Sequence, residues 1–577
     1  MRNFVSVMLS VIIALILCTG VSASVRCRTA DNILYNGNIF TSSSMSKEVT
    51  FTQPEWAEAV AVKGQFIIRV GSNEDVLALQ GPDTLMTDLL GNTVIPGINL
   101  AHTHLLPFLD PINGMFINDP TEWIPGPGPG VYEMLGYIQY LHNILPPNVH
   151  FYCIVGEGFI NDTTMISRLL LDNVAPGRPV AVYGWSGHYL LLSTSMMQFV
   201  GISTTEPNPE FGSYQRFPES NELTGVCEEY ASYDFARRIR ANISDEVFQS
   251  QLAEIFQGCL QLGCTSAGDV PIGISNDRYA RILEGYEDIY GEIPIRIRNI
   301  AFPFSIEESE NMFSEFELEN PLNKIKSGAI KWITDGTAQE PWMCLREDYS
   351  DIPGWRGIFN FSTSDLTRII RGTYYSANPK KKQLEFHCQG DGALQKVMDA
   401  MSETGHDFIW KYVYRTRIVH ADVIMPDQYD DIKSKGLYIM KVPNQNIRAA
   451  LFAQRLGLER YQYAQSVKTL IDEDINVVFC PDSLGGVGNP YLDIKLAVLH
   501  PNPAEAVSVE EAVYAYTKMG AKSEFMGHLN GSISVGKLAN IAVLSSNIFD
   551  PMNLPTLENT FSLLTMVDGE ILWNAGL

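Results

Sequence analysis

The spacing of apolar and polar positions changes twice along the chain. Residues 31–97 alternate short apolar runs such as NILYNGNIF and EAVAVKGQFIIRVGS with turn residues, and the C-terminal runs GKLANIAVLSS and FSLLTMVDGEILW repeat this pattern. Short apolar runs bounded by turn residues predict antiparallel strands. We therefore expect the two ends of the chain to share one small sheet.

In the middle of the chain, strand-length apolar runs are separated by helix-length segments, which is the pattern of parallel strands joined by crossover helices. The candidate strands are TVIPGINLAHTH at 93–104 and the runs at 149–157, 178–185, 263–269, 293–302, 328–336, 382–391, 416–422, 436–442 and 475–483. These exceed the eight strands of a (β/α)8 barrel. Because the stretch from His104 to Lys331 is far longer than three βα units of about 30 residues each, we expect an insertion early in the barrel.

The N-terminus has the pattern of a secretory signal. Arg2 precedes an apolar run from Phe4 to Leu17, and small residues follow up to Ala23. This pattern predicts cleavage after Ala23 and a secreted or lumenal protein. A retained anchor is the alternative, but the run is shorter than the roughly 18 to 20 residues that cross a bilayer. We expect no membrane span after cleavage.

Composition limits the partners of the mature chain. The 577 residues carry a net charge of −25 with 45% hydrophobic residues, so the chain is an ordinary globular protein and a poor ligand for nucleic acid. The cysteines form no C-x-x-C pair, and in an oxidising compartment Cys153, Cys227, Cys259 and Cys264 could form disulfides. Four sequons are compatible with glycosylation and begin at Asn161, Asn242, Asn360 and Asn530.

Two of the ten histidines, His102 and His104, stand at the end of one predicted strand. Residues i and i+2 of a strand point to the same side, about 6.6 to 6.8 Å apart, so both can face one cation. Such a pair alone is more often structural. However, His387, His420 and Asp482 stand at the ends of later predicted strands, which the spacing makes strands 5, 6 and 8. The carboxyl ends of all barrel strands lie at the same mouth of the barrel, so these side chains would converge on one site.

Imidazole and carboxylate are the ligand types expected for zinc or a similar divalent ion. The surrounding motifs are similar to those of the metal-dependent amidohydrolase superfamily, and of its YtcJ-like branch in particular. They run in family order through VIPGINLAHTHL, IKWITDG, HCQGDGALQKVMDA, RIVHADVIMPDQ, PDSLGGVGNPYLDIKLAV and SVEEAVYAYTKMGA. The resemblance implies a (β/α)8 TIM barrel at 98–530 with an insertion near 110–260. It also implies a composite β-sandwich from 24–97 and 531–577, after the signal peptide at 1–23.

The same resemblance implies the ligand set. His102 and His104 match the strand-1 ligands, His387 and His420 those of strands 5 and 6, and Asp482 the strand-8 aspartate. Lys331 in IKWITDG matches a strand-4 lysine that is carbamylated in binuclear relatives, where it bridges two metals. Carbon dioxide converts a neutral buried amine into an anionic ligand. Whether one or two zinc ions bind, and whether Lys331 is carbamylated, stays open.

Three further residues are candidates around the ligands. His188 in YGWSGHYLLLS resembles the family's DGHS segment, so we expect it either to bind the substrate carbonyl or to be a packed structural histidine. Asp335 and Asp391 closely follow predicted ligands and are expected to orient them. The chain departs from its relatives at Asn99-Leu100, at Gly392, where they usually carry arginine, and at PDSLGG, where they carry SDAPV. These departures concern the substrate pocket rather than the ligands.

The resulting hypothesis is a secreted metal-dependent hydrolase that cleaves the C–N bond of a small amide with a metal-activated water, and Asp482 acts as ligand and base. A small-molecule substrate is the expected partner, and a homodimer is compatible with the sequence. One alternative is a catalytically silent binding protein on the same barrel. Another is a metal-dependent esterase or phosphoesterase.

Overall fold

The computed structural model describes residues 29–43, 55–107, 114–118, 126–161, 166–312, 322–375 and 383–577. The predicted signal peptide, residues 1–23, lies outside these ranges. Within them, no helix is both long enough and apolar enough to cross a membrane.

Eight parallel strands form the central sheet, and each pairs with the next along the chain. We number them β1 (Ile98–Thr103), β2 (Cys264–Asp269), β3 (Arg296–Ala301), β4 (Ile325–Ile333), β5 (Gln383–Cys388), β6 (Arg417–His420), β7 (Tyr438–Lys441) and β8 (Asn476–Phe479). Every residue of β1, β2, β3, β5, β6 and β7 is buried, as expected where helices cover a barrel and side chains fill it. The predicted TIM barrel is confirmed.

Helices connect the barrel strands, and others pack on the insertion sheet and on the N-terminal sheet. The α-helices are Asn73–Leu77, Val131–Ile144, Glu157–Ile160, Arg168–Val174, Thr194–Phe199, Tyr230–Ala241, Asp245–Gln261, Asn276–Tyr290, Ile306–Asn311, Thr363–Tyr374, Asp391–Thr404, Asp407–Ile409, Tyr429–Lys435, Ala449–Tyr461, Lys468–Asp472, Pro490–Val498, Val509–Tyr514 and Gly520–Ser523. Trp410–Tyr414 and Ala515–Met519 are π-helical, and Pro426–Gln428, Pro443–Arg448, Pro503–Glu505 and Pro551–Asn559 are 3-10 helices.

Between β1 and β2 the chain builds a second sheet. Its six strands are, in sheet order, Gly212–Arg216, Leu223–Glu229, Tyr189–Leu192, Val180–Gly184, His150–Val155 and Gly114–Phe116. Two of the ten candidate strands, 149–157 and 178–185, belong to this insertion sheet rather than to the barrel. The apolar side chains on one of its faces pack against helix Val131–Ile144 in a core of their own.

The chain ends form two further sheets, one from N-terminal strands alone and one from strands of both ends. One has the order Phe66–Gly71, Ala59–Lys63, Asn32–Tyr35 and Leu85–Asp88, and the other Glu570–Asn574, Ser562–Val567, Ile541–Leu544, Thr93–Pro96, Asn38–Phe40 and Trp56–Ala57. Ile541–Leu544 pairs with Thr93–Pro96, which joins the ends directly. Two pairs are parallel, namely Asn32–Tyr35 with Leu85–Asp88 and Asn38–Phe40 with Thr93–Pro96, where we expected antiparallel strands.

The described cysteines, which include Cys153, Cys227, Cys259 and Cys264, are buried thiols without disulfides. Of the sequon asparagines, Asn161 and Asn242 are exposed. Asn530 is buried and accepts a hydrogen bond from Asn540.

A buried ion pair ties the C-terminal segment to the barrel. Arg296 of β3 donates to both oxygens of Asp568 at 2.9 and 2.8 Å, and the two residues are 5% and 4% exposed. Removing one partner of such a pair leaves an uncompensated buried charge. Breaking this pair is therefore expected to lower the free energy of unfolding more than breaking an exposed ion pair does.

We predict that Asp568→Asn lowers the free energy of unfolding by about 3 kcal/mol. Asparagine tolerates the left-handed backbone of Asp568 (φ 50), so the loss reports the charge rather than backbone strain. Chemical denaturation measures it. The matched control is Glu310→Gln, which breaks a solvent-exposed pair with Arg368 and should cost less than about 1 kcal/mol. Equal losses in the two variants would contradict the prediction.

Candidate metal centre

A cavity of 420 Å³ opens at the barrel mouth, where the carboxyl ends of the strands meet. All six predicted ligand side chains line it, together with His188. The ligands come from residues up to 380 positions apart in the sequence, as the barrel topology predicted. The six are His102, His104, Lys331, His387, His420 and Asp482.

His102, His104 and Asp482 form the tightest group, since their ligand atoms all lie within 4.8 Å of one another. Asp482 Oδ1 is 3.1 Å from His102 Nε2 and 3.3 Å from His104 Nε2. His104 Nδ1 lies 2.9 Å from the carbonyl oxygen of Val270, which only accepts hydrogen bonds. The neutral His104 ring therefore carries its proton on Nδ1 and directs the Nε2 lone pair towards the Asp482 carboxylate.

Two imidazole lone pairs directed at one carboxylate oxygen repel it unless a cation or a proton lies between them. His102 has the same arrangement, because its Nδ1 lies 2.7 Å from the buried Glu385 carboxylate. A divalent cation satisfies both nitrogens and the carboxylate at once. The donor set of His102, His104 and Asp482 therefore fits a metal ion.

His420 and His387 extend this group. His420 Nε2 lies 3.3 Å from the other Asp482 oxygen, and the His387 ring is 4.5 Å from the His420 ring. His387 Nε2 has no hydrogen-bond partner, although the residue is only 2% exposed, whereas its Nδ1 lies near Asp335. A buried polar atom without a partner costs free energy, so Nε2 also fits a further ligand.

Burial sets the protonation states needed for metal binding. It lowers the pKa of His420 to about 3, and the pKa of His387 also falls well below its usual value, with neighbouring His420 and His188 adding to the effect. Burial alone would raise the pKa of Asp482, but the charge and hydrogen bonds that His102 and His104 supply when a proton lies between the groups hold it well below the usual range. At neutral pH the site therefore offers the neutral imidazoles of His387 and His420 and the ionised carboxylate of Asp482.

His188 reaches the cavity from the insertion sheet rather than from the barrel. Its ring lies 4.7 Å from that of His387, and its Nδ1 lies 3.0 Å from Glu229 Oε2. Burial alone would lower the pKa of His188, but the Glu229 carboxylate outweighs it and the pKa rises. Asn360 donates to the same Glu229 oxygen at 3.0 Å, which fixes the carboxylate. His188 is thus held in one orientation at the cavity wall.

The two aspartates expected to orient ligands lie in different places. Asp335 is fully buried, 3.3 Å from His387 Nδ1, and accepts hydrogen bonds from the backbone of Gln389 and Gly390 at 2.9 Å. It fixes the chain that follows β5. Asp391 instead pairs with Arg346, which donates to it at 2.8 Å, and it does not line the cavity.

The profile of the amidohydrolase family matches residues 86–573. The chain belongs to the amidohydrolase family.

The relatives of this amidohydrolase agree with the predicted YtcJ-like resemblance. The chain is 24% identical over 538 residues to the putative amidohydrolase YtcJ of Bacillus subtilis (strain 168), covering 89% of this chain and 96% of that one. It is 24% identical over 550 residues to the N-substituted formamide deformylase of Arthrobacter pascens, with 89% and 94% covered. The solved structure of an uncharacterized metal-dependent hydrolase from Pyrococcus horikoshii OT3 has a TM-score of 0.65 at 19% identity and covers 90% of this chain and 98% of that one.

Two departures from the usual amidohydrolase motifs have a structural context. A side chain at Gly392 would meet the carbonyl carbon of Leu345 at 2.8 Å, so the close backbone leaves no room for the arginine of relatives. Asn99 points away from the cavity and donates to Glu524 at 2.8 Å. Only the PDSLGG departure, through Ser483, Leu484 and Gly485, changes the cavity wall itself.

The sequence analysis did not identify Glu385, the carboxylate that contacts His102 Nδ1. It is fully buried on β5, two residues before His387, with Arg417 Nε 2.8 Å from its other oxygen. Lys331 Nζ lies 3.8 Å from it, so the amine sits beside this carboxylate rather than within the His102 group. Residues two apart on a strand point to the same face, so Glu385 lies on the same face of its strand as His387. This spacing in the sequence could have identified Glu385 as a residue of the site.

We predict that Glu385→Gln weakens zinc binding about 10- to 100-fold, because it removes the anionic partner that orients His102. Competition with a chromophoric chelator at fixed pH measures the affinity, and thermal unfolding of the metal-free protein checks the fold.

The matched control is Glu524→Gln, since Glu524 is also a buried acid beside Arg417, at 3.9 Å, but contacts no ligand histidine. It should retain the zinc affinity of the parent chain. Equal affinity in the two variants would remove Glu385 from this role.

Proposed function

We propose that this amidohydrolase cleaves the C–N bond of a small amide and depends on a divalent metal held by His102, His104, Asp482 and His420. The observation that carries the proposal is the convergence of three imidazole nitrogens on the two oxygens of one carboxylate, at 3.1 to 3.3 Å. Similarity to an N-substituted formamide deformylase supports the choice of C–N bonds. Secretion stays a prediction of the N-terminal sequence.

A divalent ion at this site would lower the pKa of a water molecule to about 7 and polarise the amide carbonyl. Asp482 is the ionised carboxylate at the centre of the group, and it accepts the proton of the attacking water. It then delivers that proton to the leaving nitrogen, which departs as an amine. His188 lines the same cavity with a fixed ring and donates a hydrogen bond to the substrate oxygen.

We predict that Asp482→Asn lowers turnover about 10²- to 10⁴-fold while most of the metal is retained, because the amide oxygen still binds a cation but no longer accepts a proton. A metal-replete screen over matched amides, esters and lactams measures turnover, and elemental analysis measures the metal. The control is Asp427→Asn, an exposed acid that pairs with Arg346 and should leave turnover unchanged.

Unchanged activity in Asp482→Asn would remove the residue from its assigned role. Parent protein that contains no zinc, iron or manganese would contradict metal dependence. Turnover of esters without amides would reassign the reaction, and metal without any turnover would favour a silent binding protein.

We also propose that Lys331 is the carbamylation site of a second metal position shared with His387. Its amine lines the cavity, and burial lowers its pKa against the opposing effect of Glu385 and Asp482. A lower pKa enlarges the neutral fraction that carbon dioxide can modify.

The prediction is that protein loaded with zinc in bicarbonate buffer binds two ions and gains the mass of one carbon dioxide, and that Lys331→Ala binds one ion. Native mass spectrometry measures both quantities. If the loaded parent protein binds a single zinc ion and Lys331 is unmodified, the second metal position is contradicted. Only the position formed by His102, His104, Asp482 and His420 would then remain.

A further inference from the structure

The insertion sheet supplies much of the cavity wall away from the ligands. Phe116, Ile154, Tyr183 and Trp185 reach the cavity from its strands or from the turn after them, and Tyr233 reaches it from the helix that follows the sheet. Four of these five side chains are aromatic. The part of the substrate that lies beyond the scissile bond therefore meets an apolar surface rich in rings.

Trp185 is the most firmly supported of these rings. The Arg448 guanidinium carbon lies 4.1 Å from its ring centroid, and the Arg448 side chain is 1% exposed and does not line the cavity. Arg448 Nη1 in turn lies 2.8 Å from both oxygens of Glu157, which neutralises its charge. The backbone N–H of Trp185 donates to Val155 at 2.8 Å. A buried ion pair thus supports the indole, which is presented to the cavity.

The described lining residues carry few charges. Lys331 and Asp482 are the only lysine, arginine or acidic side chains among them, and both belong to the metal centre. Apart from the lining histidines, of which His188 is already paired with Glu229, the remaining polar lining groups are neutral amides and hydroxyls, such as Gln339, Asn444 and Gln445. A charged substituent on the substrate would lose its hydration without gaining a counter-ion from these residues, which is unfavourable.

We propose that the cavity recognises an amide bearing an uncharged aromatic ring, which stacks on Trp185. The proposal rests on the amide hydrolysis proposed above and names its substrate class. A supported indole offers a flat, polarisable face, and aromatic pairs in offset or edge contact are more stable than aliphatic contacts of the same area. Selectivity for the ring is therefore a property of the insertion sheet, whereas cleavage is a property of the barrel.

The test compares formanilide with N-cyclohexylformamide, which has a similar size and no π face, and with 4-formamidobenzoate, which adds a carboxylate. In the parent protein we expect kcat/KM for formanilide to exceed that for the cyclohexyl compound about three- to tenfold, and 4-formamidobenzoate to be the poorest substrate. Trp185→Leu, which keeps an apolar side chain without a ring, should bring the phenyl-to-cyclohexyl ratio close to one. Trp185→Phe should keep most of it.

Leu484→Ala is the matched control, because Leu484 lines the cavity without a ring and should change both rates by the same factor. An unchanged ratio in Trp185→Leu, or equal turnover of the benzoate, would overturn the proposal. If the metal-replete parent protein cleaves none of the three compounds, the proposed hydrolysis of such amides is contradicted, but the proposed ring preference is not yet tested by turnover. Calorimetric affinities of formanilide and N-cyclohexylformamide for the parent and Trp185→Leu proteins then decide the ring preference by the same ratios.

Discussion

The closure of the barrel between β1 and β8 is the constraint on which the site depends. His104 N donates to Ser483 at 3.0 Å, and Gly485 N donates to His104 at 2.8 Å. These bonds join the first and last strands of the barrel at the level of the ligands. The same seam places Asp482 opposite His102 and His104, so the contact that closes the sheet also brings together the candidate metal centre. Asp482 (φ 47) and His420 (φ 73) both adopt left-handed backbone conformations, which are uncommon outside glycine and cluster at functional sites.

Below the ligands, the barrel interior holds charges instead of a purely apolar core. Glu385 and Arg417 are both fully buried, and Glu385 also contacts His102 and Lys331. Buried charges are unfavourable unless each is paired, so these residues constrain one another to a single arrangement. Glu385 contacts His102 of the candidate metal centre, so the ring is fixed from behind. We therefore expect stability and metal affinity to depend on the same buried carboxylate.

The sequence predicted those parts of the site that follow from barrel topology. Strand ends in a closed parallel sheet share one mouth, so His387 and His420 could be placed together without knowledge of their contacts. Side-chain contacts between elements that no regular sequence spacing relates could not be predicted. Glu229, the partner of His188, follows it by 41 positions inside an insertion, and no periodicity relates the two. Asp391 is close to His387 in sequence, yet the side chain turns to Arg346 because nearness along a chain does not fix side-chain direction.

The candidate ligands come from the barrel, whereas the facing cavity wall comes from the insertion sheet. Membership of the amidohydrolase family therefore indicates the class of reaction more firmly than the identity of the substrate. The candidate metal ligands stand on or directly after barrel strands, which packing on both faces holds rigid, whereas the wall opposite them comes from a sheet found between β1 and β2. His188 and Trp185 lie three residues apart on that sheet's β-turn, so one local segment carries both the group that faces the metal ligands and the ring that faces the rest of the substrate. We therefore expect a change in this turn to alter recognition without disturbing the candidate ligands, in line with the many functions that one barrel fold supports.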